Sequence, residues 1–135
     1  MKILIRSARI IDPSSSFHHK IKDILIEGGI ITKIASSIEV EGSVKLIEGK
    51  NLHVSNGWVD IRPNFCEPGH EYKEDIQSGL TAAAYGGYTG VALASSTYPP
   101  VDNRSAVEFL LSRRKNSPVE IFPLGTVSDK REGKE

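Results

Sequence analysis

The sequence has little of several things, and each shortage excludes a class of protein. It has one cysteine, Cys66, so no intrachain disulfide can form and a disulfide-stapled scaffold is excluded. It has no charge of one sign in excess: 17 Lys+Arg face 17 Asp+Glu. No sustained positive field is available for nucleic acid or an anionic membrane surface. The basic run Arg113-Arg114-Lys115 is short and reads as the end of a helix. Long apolar runs are missing too. Ile3-Leu4-Ile5 and Ile24-Leu25-Ile26 fall far below the roughly 18 residues of a membrane span. Met1-Lys2 leads directly into an alternating segment without a signal-peptide pattern, so a cytoplasmic protein without nucleic-acid or membrane partners is expected.

What remains suits a folded chain: 135 residues, 39% hydrophobic and 25% charged. That is enough for one ordinary domain and too apolar for disorder. Its pattern divides into a β-rich part over residues 1–56 and an α/β part over 57–135. In the first, Ile3, Ile5, Ala8 and Ile10 roughly alternate, and Asp12-Pro13-Ser14-Ser15-Ser16 breaks the run as a loop. Asp23–Glu27 and Ile30–Ile34 flank Gly28-Gly29 as a hairpin. Val44–Glu48 and Leu52–Val54 are further short strands around Gly49-Lys50. Short strands with frequent turns predict a small sandwich or open barrel.

From Gly57 the rhythm changes. Strands are expected at Trp58–Ile61, Gly90–Ala94 and Val119–Leu124, with helices at Tyr72–Tyr85 and Ser105–Lys115 between them. Asn103 or Arg104 lies at the start of the second helix, and Pro118 stops it. Strand-helix-strand-helix-strand is the pattern of parallel strands joined by right-handed crossovers. It reads as the first units of an incomplete (β/α)8 barrel, since closure takes roughly 250 residues. The chain is therefore expected to be part of a longer protein, with an open sheet edge and an uncovered apolar face. Gly86-Gly87-Tyr88-Thr89-Gly90 follows a helix and precedes a strand. That order is the reverse of a phosphate loop and marks a helix cap and turn.

Candidate chemistry gathers after the first α/β strand, where (β/α) barrels build their sites. Residues two apart on a strand share a side, so Asp60, Arg62 and Asn64 would face one pocket if the strand runs that far. An ion pair of Arg62 with Glu67 or another carboxylate would hold the rim. Cys66, His70 and Asp60 are acceptable zinc ligand types, but the Pro68-Gly69 turn leaves their geometry unspecified. Cys66 as a nucleophile lacks a histidine placed beside it, and His18-His19 and His53 read as loop and strand residues.

Ser55–Ile61, Phe65–Gly69, Tyr72–Gly79, Ala82–Val91 and Pro99–Asn103 together resemble the dihydroorotases among the cyclic amidohydrolases. The resemblance implies a small β-sandwich part and the start of an amidohydrolase barrel. It also implies a zinc-dependent hydrolase of pyrimidine biosynthesis. The family's first barrel strand carries Asp-x-His-x-His, whose two histidines bind zinc, and an arginine two residues later grips the substrate carboxylate. In this chain those three positions are Arg62, Asn64 and Cys66, and a family asparagine for the same carboxylate is matched by Ser96. A guanidinium is permanently cationic and is no zinc ligand. The expectation is a catalytically silent homologue with no metal or catalytic residue of its own. Its full-length form would be an oligomer with a structural or assembly role, as inactive relatives have beside aspartate carbamoyltransferase. The alternatives are an active zinc-dependent cyclic amidase and a small carboxylate-binding module built on Arg62.

Overall fold

The computed structural model describes residues 1–128 and 130–133. Its Cα packing separates two compact units, Met1–Asn56 and a second that begins at Gly57.

The first unit is one five-stranded sheet. Its strands are β1 (Lys2–Ile11), β2 (Ile21–Glu27), β3 (Ile30–Ala35), β4 (Lys45–Ile47) and β5 (His53–Ser55). β3, β2 and β1 form an antiparallel meander, and Gly28-Gly29, both at positive φ, turn the β2–β3 hairpin. The 5-to-8 step in the apolar alternation of β1 has a structural cause. Ile5 pairs with Ile24, whereas Ala8 pairs with Lys22, so the register shifts between them. Lys22 and Ile24 share a face, and so therefore do Ile5 and Ala8 despite their odd spacing. Ser7 takes up the extra residue at φ 51, and its N–H donates to Asp23 Oδ1 at 2.9 Å. Asp23 Oδ2 accepts from the Ile38 N–H at 3.1 Å. Both oxygens of this buried carboxylate are thus satisfied.

The residues expected as a sandwich portion form this single sheet. β4 and β5 are three residues each, and both add in parallel to β1, at residues 3–5 and 9–11. Both therefore extend the one sheet of this unit.

The second unit comprises β6 (Trp58–Asp60), α1 (Ile76–Tyr85), β7 (Tyr88–Leu93), α2 (Arg104–Ser112) and β8 (Glu120–Pro123). β6, β7 and β8 form a parallel sheet in that order. Ile76, Leu80 and Leu110 of the helices pack with Val91, Leu93 and Ile121 of the sheet, together with Val101 and Val119. Gly79 lets α1 approach the Phe65 ring, because a Cβ there would lie 2.5 Å from Phe65 Cδ1. On the other face Val59, Gly90 and Phe122 lie side by side, and Val59 and Phe122 are half exposed.

α1 starts at Ile76 rather than at Tyr72 because Asp75 caps it. The Asp75 carboxylate accepts from the Ser78 N–H at 2.9 Å, and the Ser78 side chain answers to the Asp75 N–H, a capping box. Gly86 caps its other end, and Gly87 turns the chain at φ 83. α2 begins one residue before Ser105, behind an Asn103 cap, and ends at Ser112 rather than Lys115. β6 stops at Asp60, one residue before the expected end.

Candidate functional site

Strand direction decides where chemistry can gather. The carboxyl ends of β6, β7 and β8 lie at one edge of the second sheet, and the segments 61–75, 94–103 and 124–128 continue from them. Backbone hydrogen bonds knit these segments together: Ala94 N–H to the Pro63 carbonyl at 3.1 Å, Tyr98 N–H to Pro68 at 3.0 Å, and Thr126 N–H to Val101 at 2.8 Å. Gly69, at φ 105, packs its bare Cα against the Tyr98 backbone, where a side chain would have no room.

Because β6 ends at Asp60, Arg62 and Asn64 do not project from a strand into one pocket. Each belongs to a tight local turn. The Arg62 N–H donates to Asp60 Oδ1 at 3.0 Å, and the Cys66 N–H donates to Asn64 Oδ1 at 3.0 Å. Arg62 and Ser96 line a cavity of about 250 Å³ with Ile61, Ala94, Ser95, Leu124 and Arg131. Asp60 and Asn64 line a different one, of about 330 Å³, under α1 beside Phe65, Gly79 and Tyr88. Cys66 lines neither; it is half-buried at φ 63. The structure thus brings Arg62 and Ser96 together and separates them from Asn64 and Cys66. His70 meets Cys66 through the backbone, its N–H donating to the Cys66 carbonyl at 2.8 Å. Among the described residues no three His, Cys, Asp or Glu side chains gather as a metal-binding group, so Asp60, Cys66 and His70 do not form one.

The expected Arg62–Glu67 ion pair is also replaced. Glu67, 6% exposed, takes its cation from Arg113, with Nη2 to Oε1 at 2.8 Å. Its Oε2 accepts from the Ile76 N–H at 2.9 Å, the first amide of α1. Arg113 is the C-terminal cap of α2, its guanidinium lies 5.7 Å from the Phe109 ring centre, and its carbonyl accepts from Gln77 Nε2. One carboxylate therefore ties the segment after β6 to the start of α1 and the end of α2. Sequence reading missed this clamp because nothing local singles out Arg113 among the cations.

Two exposed carboxylates in the segment that leads into α1 are held below the ordinary range. The Gly69 N–H does this for Glu71, at 2.9 Å, and the Ser78 N–H does it for Asp75.

Against known proteins, the dihydro-orotase-like family matches residues 52–135. A dihydroorotase of Geobacter metallireducens is 35% identical over 134 residues, covering 98% of this chain and 31% of the relative. One of Syntrophus aciditrophicus is 40% identical over 136 residues, covering 99% and 32%. The chain therefore spans about a third of the length of the curated relatives it matches. Among solved structures, a D-hydantoinase superimposes with a TM-score of 0.73 at 22% identity, over 96% of this chain and 29% of that one. That likeness speaks for the fold alone. The chain belongs to the dihydroorotase-like family.

Proposed function

We propose that this chain is a catalytically silent dihydroorotase homologue with a structural or assembly role in pyrimidine synthesis. One observation carries the reading. Arg62 and Asn64, which stand where the family's first two zinc-binding histidines are expected, do not offer a donor set that fits the metal. Arg62 is a permanent cation that would repel Zn²⁺. The side-chain oxygen of Asn64 is engaged by the Cys66 N–H, and the two residues open onto different cavities. Cys66 and Ser96, in place of the arginine and asparagine that would grip the substrate carboxylate, support the same reading.

The scaffold around these positions is held firmly. The Glu67–Arg113 clamp and the capping box of α1 keep the family's fold while the pocket chemistry differs. A chain that retains the fold without the chemistry suits a role in assembly. The partner proposed is aspartate carbamoyltransferase, with the naturally expressed protein as an oligomer. The test is co-purification of that protein with the aspartate carbamoyltransferase of the same organism, followed by light scattering. A complex of fixed stoichiometry is expected. Two independently eluting species at concentrations well above cellular levels would count against the assembly role.

A further inference from the structure

Of the five asparagines in the sequence, only Asn56 precedes a glycine. The pair Asn56-Gly57 connects β5 to β6, and both residues are exposed. Asn64 and Asn103 have their carboxamide oxygens engaged by backbone N–H groups, those of Cys66 and Ala106, each at 3.0 Å. The Asn56 side chain is instead a donor to the Asp12 carboxylate. The backbone around this pair has three features of its own. The Ser55 hydroxyl donates to the Asn56 carbonyl at 3.0 Å. Among the described residues the Gly57 N–H donates to no backbone carbonyl, whereas the next one, of Trp58, is held by the Gly87 carbonyl at 3.2 Å. Position 57 also has no room for a side chain, because a Cβ there would lie 2.1 Å from Thr89 Cγ2. Close packing against Thr89 therefore keeps a glycine beside an exposed asparagine.

We infer that Asn56 is a site of spontaneous deamidation in the folded protein, promoted by the Ser55 hydroxyl. The first step closes a ring within the chain. The Gly57 amide nitrogen loses its proton to solvent base and bonds to Asn56 Cγ. The bond from Cγ to Nδ2 breaks, and that nitrogen leaves as ammonia with a proton taken from water. Water then opens the resulting succinimide at either of its carbonyls and leaves aspartate or isoaspartate. Water is the only co-reactant, and nothing is oxidised or reduced. Glycine favours the closure because no β-carbon shields its nitrogen. The Ser55 hydrogen bond draws electron density out of the Asn56-Gly57 peptide group and makes its N–H more acidic. The product sets a second carboxylate beside Asp12 where an amide donor stood. As isoaspartate it also lengthens the connection between β5 and β6 by a methylene. This inference does not rest on the silent-homologue reading, since the reaction uses no residue at a metal or substrate position.

The test is ageing of the naturally expressed protein at physiological temperature, folded and in urea, read by peptide mass spectrometry that separates aspartate from isoaspartate. In the folded protein, conversion at Asn56 is expected to be first-order and to accelerate from neutral to mildly alkaline pH. It should outpace conversion at Asn51, Asn64, Asn103 and Asn116. Ser55→Ala should slow it roughly twofold to tenfold, the worth of one hydrogen bond. In urea, where that hydrogen bond is lost, wild type and Ser55→Ala should convert at the same rate. Ser55 is exposed, so unchanged thermal melting is expected and separates the chemical effect from unfolding. Asn56→Gln should stay unmodified, because its longer side chain closes a larger ring far more slowly. An Asn56 that converts in urea but stays intact in the folded protein would overturn the inference. So would a folded-state rate that Ser55→Ala leaves unchanged.

Discussion

Two buried carboxylates, Asp23 and Glu67, hold one unit each, and both use both oxygens. Asp23 pins the Ser7 bulge of β1 to the Ile38 N–H. Glu67 pins three separate segments of the second unit through Arg113 and the Ile76 N–H. Burying a carboxylate is costly unless it is paired and hydrogen-bonded, so removal of the carboxylate strands its partners. Glu67→Ala is expected to cost about 3 kcal/mol, because it leaves the Ile76 N–H and a partly buried guanidinium without their acceptor. Glu67→Gln should cost less, since an amide oxygen can still accept from Ile76. Urea unfolding of the three proteins checks the order; equal stability of wild type and Glu67→Ala would show that the clamp carries no weight. The partner of Glu67 was not legible in the sequence. Arg62 is nearer in the chain and has the right charge, but its backbone is spent in a turn with Asp60, while the end of α2 delivers Arg113. Sequence proximity does not decide a tertiary ion pair.

At the scale of elements, hydrophobic period and turn residues announced the elements better than their ends. The hairpin around Gly28-Gly29, the Gly86-Gly87 cap and the Asn103 start were readable because each has local chemistry. α1 starts at Ile76 and not at Tyr72, because the Asp75–Ser78 capping box wins over a longer helix through Lys73 and Glu74. α2 ends before Arg113-Arg114-Lys115 for a tertiary reason: the Arg113 carbonyl and guanidinium are taken by Gln77 and Glu67. The odd 5-to-8 step in β1 was visible as an imperfection of the alternation, and the bulge is its cause. Residues 1–56, expected as a sandwich portion, form one five-stranded sheet, and strand count alone does not tell one sheet from two. The α2 cap gives a clean test. Asn103 Oδ1 accepts from the Ala106 N–H at 3.0 Å, and Asn103→Ala should destabilise the protein by roughly 1 kcal/mol. Asn103→Ser should recover most of that, because a hydroxyl oxygen fills the same role. Chemical denaturation reads both, and a Ser variant no better than Ala would mean that the cap is not the cause.

At the scale of the whole molecule, charge balance hides an acid sensitivity. Asp12 is lowered chiefly by the Ser14 hydroxyl, Glu27 by the Thr32 hydroxyl, Glu71 by the Gly69 N–H and Asp75 by the Ser78 N–H. Each folded-state value lies below the ordinary one of 3.8 or 4.5. Their contribution to stability is therefore complete above the unfolded values and is lost as pH falls through the folded ones. Thermal melting should be insensitive to these groups above about pH 5 and fall below about pH 4. Asp75→Asn should show a shallower acid fall than wild type. Parallel slopes for the two proteins would remove Asp75 from the account.

The same scale holds the central claim, that the family's fold is kept while its metal chemistry is not. The strands and helices of the second unit were largely legible, because parallel α/β units carry strong periodicity. The site was legible only as a list of residues. Which of them share a cavity depended on where β6 stops, and that end lies one residue from the expected one. The most direct measurement is hydrolysis of dihydroorotate by the naturally expressed protein, with zinc supplied and again with a chelator. The account predicts no turnover above background in either condition. Zinc-dependent turnover abolished by the chelator would contradict it, and would mean that residues other than Arg62 and Asn64 supply the metal site.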